Sequence, residues 1–361
     1  MNDANTAAKN LLLAAGGTGG HIWPAISFGR WIKSRHPECR VRYVCGSRPL
    51  EREIYAAAGE EPLVLPIDGS PLSGRNVTQR LGRLCSLYSS YRFARDAFSR
   101  FKPEAALLFG GYLSFPMMLA CKRAGVRCAM HEQNARAGKV TRVAAKLGVD
   151  IYCGWGECPP LSEARVLRTG VPVRQFARTQ QASAWKALEI AEEMPSGPKV
   201  VVFTGSLGSQ SIKDKICETA RNAAFADWGF ILPAVSDTVR KAERNVWLLP
   251  KVWDASPLYS AADMLVLRGG GSTLTEAGVL GIPALVIPWR GAADNHQYHN
   301  ALAFVSENIG VLFNEEEDAS ALASALKELN KIRENKNGGG CLKGQEKVIC
   351  ENLWSALFPA G

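Results

Sequence analysis

The sequence lacks a run of about 18 consecutive apolar residues, the length that a membrane-spanning helix requires. Near its start, only Leu11–Ala15 forms an apolar run, preceded by one basic residue, Lys9, so a secretory signal is not expected. The ten cysteines form no Cys-x-x-Cys motif and no cluster with zinc-site spacing. We therefore expect free, mostly buried thiols of a reducing cytoplasm rather than disulfides.

The composition that remains is that of an ordinary globular protein with room for two domains. The 361 residues are 47% hydrophobic and 21% charged, and a domain takes roughly 150 residues. Residues 1–172 carry 24 basic and 13 acidic side chains, net +11, whereas residues 173–361 carry 19 and 21, net −2. The first half therefore suits an anionic partner: nucleic acid, membrane or substrate.

Short apolar runs alternate with helical stretches in both halves, which predicts parallel sheets covered on both faces. The predicted strands are 11–15, 41–45, 63–67, 105–109 and 127–130, then 200–203, 263–267 and 283–287. The first helix is expected from about Pro24, and Gly170 and Pro172 mark a hinge. We predict two doubly wound α/β domains, 1–172 and 173–343, whose carboxyl strand ends face a cleft.

A glycine-rich loop follows the first predicted strand. Segment 16–21, Gly-Gly-Thr-Gly-Gly-His, can bring backbone N–H groups and a helix start to a phosphate; the alternative is a tight turn that binds nothing. A nicotinamide dinucleotide site would need a glycine at Ile22 and an acid within 45–48. His21 is a candidate general base near neutral pH, or simply a residue at a helix start.

Similar loops end other predicted strands. Segments 110–112 (Gly-Gly-Tyr) and 131–134 (His-Glu-Gln-Asn) follow strands of the first half, and 204–208 and 268–273 are glycine-rich loops of the second half. Glu276 lies one turn inside the helix after 268–273, where a carboxylate can bind both hydroxyls of a ribose. The alternative is that Glu276 only complements the helix dipole.

A basic stretch, residues 75–102, holds seven basic residues and one acid, Asp96. Four apolar side chains recur there at helical spacings of three and four: Leu81, Leu84, Tyr88 and Tyr91. Basic neighbours are Arg80, Arg83, Arg92 and Arg95. This pattern is typical of a helix that binds a membrane surface, unless the apolar face packs on its own sheet. Nucleic acid is not expected, because no known nucleic-acid fold accompanies these charges.

Together, these motifs resemble the MurG family of N-acetylglucosaminyltransferases of bacterial peptidoglycan synthesis, from about Asn10 to the final helix. Besides the loops above, the likeness includes the hinge Gly170–Arg174 and the segment Gln297–Ala301. The resemblance implies a GT-B fold in which a last helix, within 344–361, returns to the first domain. It implies inverting transfer of GlcNAc from UDP-GlcNAc to the C4 hydroxyl of MurNAc in undecaprenyl-pyrophosphoryl-MurNAc-pentapeptide (lipid I), giving lipid II.

The resemblance also implies residue roles. Donor binding falls to Thr18, Gly19, Gly20, Asn134, Arg174, Ser206, Val252, Gly271, Ser272, Thr273, Glu276, His296 and Gln297. Acceptor binding falls to Gly16, Gly17, Gly110, Gly111, Tyr112 and His131, and the catalytic base is His21. No Asp-x-Asp pair, the usual carrier of a metal-bound diphosphate, occurs, so no metal or cofactor is expected.

The family's enzymes act on a lipid, so the resemblance implies a peripheral protein on the anionic cytoplasmic face of the inner membrane. Three alternatives remain at this point: a UDP-GlcNAc epimerase of the same fold, a transferase that glycosylates another membrane lipid, and a nucleotide-sugar sensor without catalysis. The basic stretch favours a lipid-using enzyme over an epimerase. The loop at 16–21 counts against diacylglycerol as acceptor, because that lipid has no pyrophosphate.

Overall fold

The computed structural model describes residues 9–70, 77–205, 208–308, 310–335 and 345–359. The chain divides into two compact units: unit 1 is Met1–Arg174 with Glu346–Gly361, and unit 2 is Gln175–Gln345. Each unit is an α/β sheet with helices, which confirms the predicted fold class of two doubly wound domains. Among the described helices, none combines the length and apolar character needed to cross a bilayer.

In the part of unit 1 that the structure describes, the sheet has seven strands. They are β1 (Asn10–Ala14), β2 (Arg40–Cys45), β3 (Leu63–Val64), β4 (Ala105–Leu108), β5 (Arg127–Glu132), β6 (Asp150–Cys153) and β7 (Val166–Arg168). The helices are α1 (Gly19–Arg35), α2 (Pro49–Ala57), α3 (Val77–Phe101), α4 (Ser114–Ala124) and α5 (Lys139–Lys146). All pairings are parallel, in the order β3-β2-β1-β4-β5-β6-β7. Helices on both faces explain why Leu11, Leu12 and Leu13 are all buried.

Unit 2 repeats this arrangement. Its strands are β8 (Lys199–Phe203), β9 (Gly229–Leu232), β10 (Arg240–Glu243), β11 (Val246–Leu248), β12 (Met264–Leu267), β13 (Ala284–Val286) and β14 (Gly310–Leu312). Its helices are α6 (Gln181–Ala187), α7 (Gln210–Arg221), α8 (Ser256–Ala261), α9 (Gly271–Leu280), α10 (His296–Glu307) and α11 (Ala319–Asn335). Across the described residues the order is β10-β11-β9-β8-β12-β13-β14; β10 is antiparallel to β11, and the other pairings are parallel.

The last helix, α12 (Gln345–Leu357), packs on unit 1. The phenol of Tyr152 donates to the Ala356 carbonyl at 2.9 Å. Gly170 has a φ of +82°, and a Cβ there would lie 2.6 Å from Cγ1 of Ile349. Only glycine therefore suits the chain where α12 crosses Gly170.

The first helix begins earlier than predicted, at Gly19 rather than near Pro24. Thr18 is its N-cap, and its carbonyl accepts the N–H groups of His21 at 3.1 Å and Ile22 at 3.3 Å. Pro24 is tolerated inside the helix, although it donates no hydrogen bond to the preceding turn. The early start places Gly19 and Gly20 in the first helical turn, a position whose N–H groups can bind an anion.

Candidate active site

In unit 1, the strand order switches direction between the neighbouring strands β1 and β4: the chain continues from β1 to β2 on one side and from β4 to β5 on the other. Doubly wound folds bind ligands at such a topological switch point. The loops after these strands touch, since a Cβ on Gly111 would lie 3.1 Å from the Gly16 carbonyl oxygen. A Cβ on Gly110 would lie 3.7 Å from Nε2 of His21. The structure therefore brings together the first two predicted glycine loops and the candidate base.

A buried carboxylate that the sequence analysis missed, Glu51 on α2, joins these loops. It accepts the N–H of Gly17 at 2.7 Å and the N–H of Gly46 at 2.6 Å. It also accepts a short hydrogen bond from the hydroxyl of Tyr112. The N–H of Gly17, a predicted acceptor-binding residue, thus has its hydrogen-bond acceptor within the protein. From sequence, Glu51 is indistinguishable from an ordinary acid in a first helical turn.

His131, predicted to contact the acceptor, is fully buried at the end of β5. Its Nε2–H donates to the Gly170 carbonyl at 2.8 Å, and its Nδ1 accepts the side-chain amide of Gln133 at 2.9 Å. Burial lowers the pKa of the imidazole to about 4, so the ring is neutral near pH 7. With both nitrogens used, His131 ties β5 to Gly170 and offers no nitrogen to an acceptor in this conformation.

Asn134 is positioned by the buried carboxylate of Glu132. Oε1 accepts the backbone N–H of Asn134 at 3.1 Å and its side-chain amide at 2.8 Å. Oε2 accepts the N–H of Gly138 at 3.0 Å and the hydroxyl of Thr141 at 2.5 Å. The loop after β5 is therefore held in one shape, with the amide group of Asn134 oriented by its neighbour.

Arg174 lies in unit 1, against the start of α1. Its guanidinium stacks over the Trp23 ring at 4.6 Å, a favourable cation–π geometry. A Cβ on Gly19 would lie 3.3 Å from Cδ1 of the same indole. Trp23 thus holds the arginine beside the first turn of α1, close in sequence to His21.

In unit 2, the loop after β12 leads into α9, where Gly271 and Ser272 are buried and Thr273 is partly buried. Glu276 is only 3% exposed, and its Oε2 accepts the hydroxyl of Tyr259 at 2.6 Å. Tyr259, on α8, was not identified from the sequence. Its hydrogen bond orients the carboxylate that was predicted to bind ribose.

The start of α10 packs on the same loop. A Cβ on Gly269 would lie 2.2 Å from the Gln297 carbonyl oxygen, and Asn300 donates to the Gly269 carbonyl at 2.8 Å. Gln297 accepts the Trp289 N–H through Oε1 at 2.9 Å. His296 donates from Nδ1 to a backbone carbonyl at 2.8 Å. The structure therefore places Gln297, a predicted donor-binding residue, next to the glycine loop that precedes α9, with His296 adjacent in sequence.

A bidentate ion pair lies behind this loop. The guanidinium of Arg268 binds Glu315 at 2.6 and 2.7 Å and donates to the hydroxyl of Ser209 at 3.0 Å. The hydrogen bond from Arg268 holds the pKa of Glu315 below its usual value.

Val252 lies partly buried in the connection from β11 to α8. Ser206, a predicted donor-binding residue, lies outside the described residues.

The α3 surface differs in part from its prediction. Leu81, Leu84 and Tyr88 are 57%, 50% and 62% exposed, so they do not pack on the sheet. Tyr91, predicted on the same face, instead is partly buried and packs against the hydrophobic core of unit 1. Cys85 is exposed among the three apolar side chains. Arg80, Arg92 and Arg95 are exposed, and Arg83 is partly buried. We call Leu81, Leu84 and Tyr88 the α3 patch.

Each unit matches the model of one known protein domain, and the two domains belong to the same family. The Glycosyltransferase family 28 N-terminal domain matches residues 11–152, and the Glycosyltransferase family 28 C-terminal domain matches residues 199–338.

Curated relatives match most of both chains. A protein of Phocaeicola vulgatus is 30% identical over 88% of this chain and 85% of its own. One of Desulfotalea psychrophila is 33% identical over 86% and 85%. Both are named UDP-N-acetylglucosamine--N-acetylmuramyl-(pentapeptide) pyrophosphoryl-undecaprenol N-acetylglucosamine transferase. Among solved structures, MurG of Acinetobacter baumannii shares the fold, with a TM-score of 0.65 and 20% identity over 96% of this chain and 95% of its own.

Proposed function

We propose, because the chain belongs to glycosyltransferase family 28, that it transfers GlcNAc from UDP-GlcNAc to the C4 hydroxyl of MurNAc in lipid I, giving lipid II. Membership of the family makes it a glycosyltransferase. The name shared by relatives that match most of both chains carries the choice of sugar and acceptor. A UDP-GlcNAc epimerase is the less favoured alternative, since neither relative bears that name.

We assign the donor nucleotide to unit 2. Glu276, whose carboxylate accepts a hydrogen bond from Tyr259, is proposed to accept the ribose hydroxyls. The helix start at Gly271, Ser272 and Thr273 supplies N–H groups and a favourable dipole for the diphosphate. Ser206 and the backbone of Val252 are proposed for phosphate and uracil, and His296 and Gln297 for the sugar.

We assign the acceptor and its activation to unit 1. In the proposed step, His21 takes the proton of the C4 hydroxyl while that oxygen forms a bond to C1 of GlcNAc. The bond from C1 to the phosphate oxygen breaks, UDP leaves with the electron pair, and the anomeric configuration inverts. Arg174 and the α9 helix start offset the developing charge on UDP. Asn134 remains a proposed donor ligand.

The lipid acceptor also suggests a location, the anionic cytoplasmic leaflet of the inner membrane. The exposed α3 patch with its neighbouring arginines has the chemistry of a surface that inserts apolar side chains among headgroups. Each basic side chain near an anionic membrane contributes about 1 kcal/mol. A role in cell-wall growth, and hence in cell shape and division, follows from the proposed product.

The proposal is tested by incubating the protein with UDP-GlcNAc and a soluble lipid I analogue. We expect a disaccharide product with a β-linkage by NMR and one UDP released per product. Omitting the analogue should abolish UDP release. Conversion of UDP-GlcNAc without acceptor would instead support an epimerase and contradict the proposed transfer.

A further inference from the structure

Glu51 has no part in the reaction described so far, yet its side chain joins the loops of the proposed acceptor site. It is completely buried. Oε1 accepts from the N–H of Gly17 and the hydroxyl of Tyr112, and Oε2 accepts from the N–H of Gly46. One carboxylate thus bonds the loops that follow β1, β2 and β4.

Two glycines make room for this contact. A Cβ on Gly16 would lie 2.6 Å from Oε2 of Glu51. A Cβ on Gly46 would lie 2.1 Å from the Tyr112 hydroxyl oxygen and 2.9 Å from the same carboxylate. Leu113 and the Ile67 carbonyl also crowd these positions, since Cδ2 of Leu113 would lie 2.3 Å from a Cβ on Gly16 and the Ile67 oxygen 2.7 Å from one on Gly46. Contacts inside the protein therefore require glycine at both positions.

The hydrogen bond to Glu51 also determines what Tyr112 can offer a ligand. A phenol has one proton and two lone pairs, and the proton of Tyr112 is donated to Glu51. Burial and this bond raise the pKa of Tyr112 well above its usual value, so the phenol stays protonated and is not a base. Toward a substrate, the oxygen can only accept.

We propose that Glu51 is a positioning residue for the acceptor: it holds the Gly17 turn and fixes the Tyr112 oxygen as a hydrogen-bond acceptor. The partner of Tyr112 is then an N–H or O–H of the sugar-peptide part of the acceptor. The pyrophosphate is excluded as that partner, because its oxygens also accept. This role rests on the proposed function.

The test compares Glu51→Gln with the wild type. Glutamine keeps the shape but has a single acceptor oxygen, so it cannot serve all three donors. We expect acceptor kcat/KM to fall about 10- to 100-fold, mainly through KM, with UDP affinity by calorimetry within twofold. Glu53→Gln, an exposed change on the same helix, is the matched control and should leave the kinetics unchanged.

Tyr112→Phe, alone and combined with Glu51→Gln, tests the path of the effect. The Tyr112→Phe change alone should raise the acceptor KM. In the Glu51→Gln background the same change should raise the KM little further, because the Tyr112 hydroxyl has already lost the partner that orients it. A folded Glu51→Gln variant with wild-type acceptor KM, or one that loses UDP affinity equally, overturns the role.

If Glu51→Gln does not fold, Tyr112→Phe alone decides, and an unchanged acceptor KM overturns the role. A wild-type protein that transfers nothing to lipid I overturns the proposed function and this role with it. Normal wild-type transfer with unaffected variants overturns the role alone.

Discussion

At the scale of single residues, buried carboxylates shape the candidate site. Glu51, Glu132 and Glu276 are all buried, and each accepts hydrogen bonds from backbone N–H groups, side-chain amides or hydroxyls. Burial of a carboxylate is costly unless such donors surround it. Each glutamate therefore fixes the atoms around it, and a neutral replacement should change the local geometry before it changes the fold.

Glu276→Gln should weaken UDP binding. The amide keeps the volume but loses the charge that a ribose hydroxyl would bond, at a cost of about 1.5–3 kcal/mol, or roughly 10- to 100-fold in Kd. Calorimetry with UDP measures it, with Tyr259→Phe expected to have a smaller effect in the same direction. Unchanged affinity in a folded Glu276→Gln protein would remove this residue from the nucleotide site.

His21→Ala should affect turnover rather than donor binding. Loss of a general base lowers kcat by about 10²–10⁴-fold, while UDP, assigned to unit 2, should bind with unchanged affinity. Steady-state rates with the lipid I analogue and calorimetry with UDP separate the two effects. If kcat changes only a few-fold while acceptor KM rises, His21 is a binding residue and not the base.

His131 predicts a loss of stability in acid. Its pKa is about 4 in the folded chain and about 6.5 when unfolded. Between these values the unfolded chain binds a proton that the folded chain does not, so stability falls as the pH is lowered from about 6.5 to about 4. The total is about 3 kcal/mol. Urea unfolding of wild type and His131→Gln at pH 7 and pH 5 checks this, and equal losses in both would exclude His131 as the cause.

Several predicted residues lie in or just after loops whose glycine and hydroxyl composition is visible in the sequence, whereas residues such as Arg174 and Val252 were assigned by the family resemblance alone. Gly110, Gly111 and Glu276 are of this kind, and the structure places each at a strand end or the following helix. Glu51 and Tyr259 were missed because their importance depends on partners 61 and 17 residues away in sequence. No periodicity in one chain reveals such pairings.

At the scale of elements, α3 shows where helical spacing succeeds and where it fails. Leu81, Leu84 and Tyr88 share the exposed side of the helix. Successive residues advance by about 100° around a helix, and Tyr91 lies nearer the side of Ala94 and Phe98, which belong to the core. Among strands, Arg240–Glu243 is polar and exposed for most of its length, so no apolar run could have revealed it. The edge strand β3 lies within predicted 63–67, whereas the buried strands β6, β9 and β11 were not predicted, because each has only three or four residues.

The α3 patch should bind anionic vesicles. Replacing Leu81, Leu84 and Tyr88 with serine removes exposed apolar area at little cost in stability, because none of the three is in the core. Sedimentation with anionic vesicles should decrease, whereas wild-type binding should weaken with added salt. Tyr91→Ser is a contrasting change, expected to destabilise unit 1. A well-folded triple variant that sediments like wild type would place the membrane surface elsewhere.

At the scale of the whole molecule, unit 1 is formed by two separate parts of the sequence. Unit 2 is inserted in the sequence between the main part of unit 1 and α12, so α12 completes the core of unit 1. Leu353 and Leu357 are fully buried there. The stability of unit 1 therefore depends on a helix that becomes available only after unit 2 has been synthesised.

Leu353→Ala should destabilise unit 1 by about 2–5 kcal/mol, the usual range for a large-to-small change in a core. Val348→Ala on the same helix is the control, since Val348 is 52% exposed, and should change stability by no more than about 0.5 kcal/mol. Calorimetric scans with and without UDP distinguish the units, because UDP, assigned to unit 2, should stabilise that unit more than unit 1. Equal effects of the two substitutions would contradict the packing of α12.

The exposed thiol on α3 gives this protein a natural place for a spectroscopic reporter. Among the described cysteines, Cys85 is the exposed one, whereas most others are buried. After Cys341, outside the described residues, is replaced by serine, a maleimide dye of environment-sensitive emission should react first at Cys85. Because the dye would sit among Leu81, Leu84 and Tyr88, a blue shift in its emission would follow docking on a lipid surface in real time, without any change to the catalytic residues.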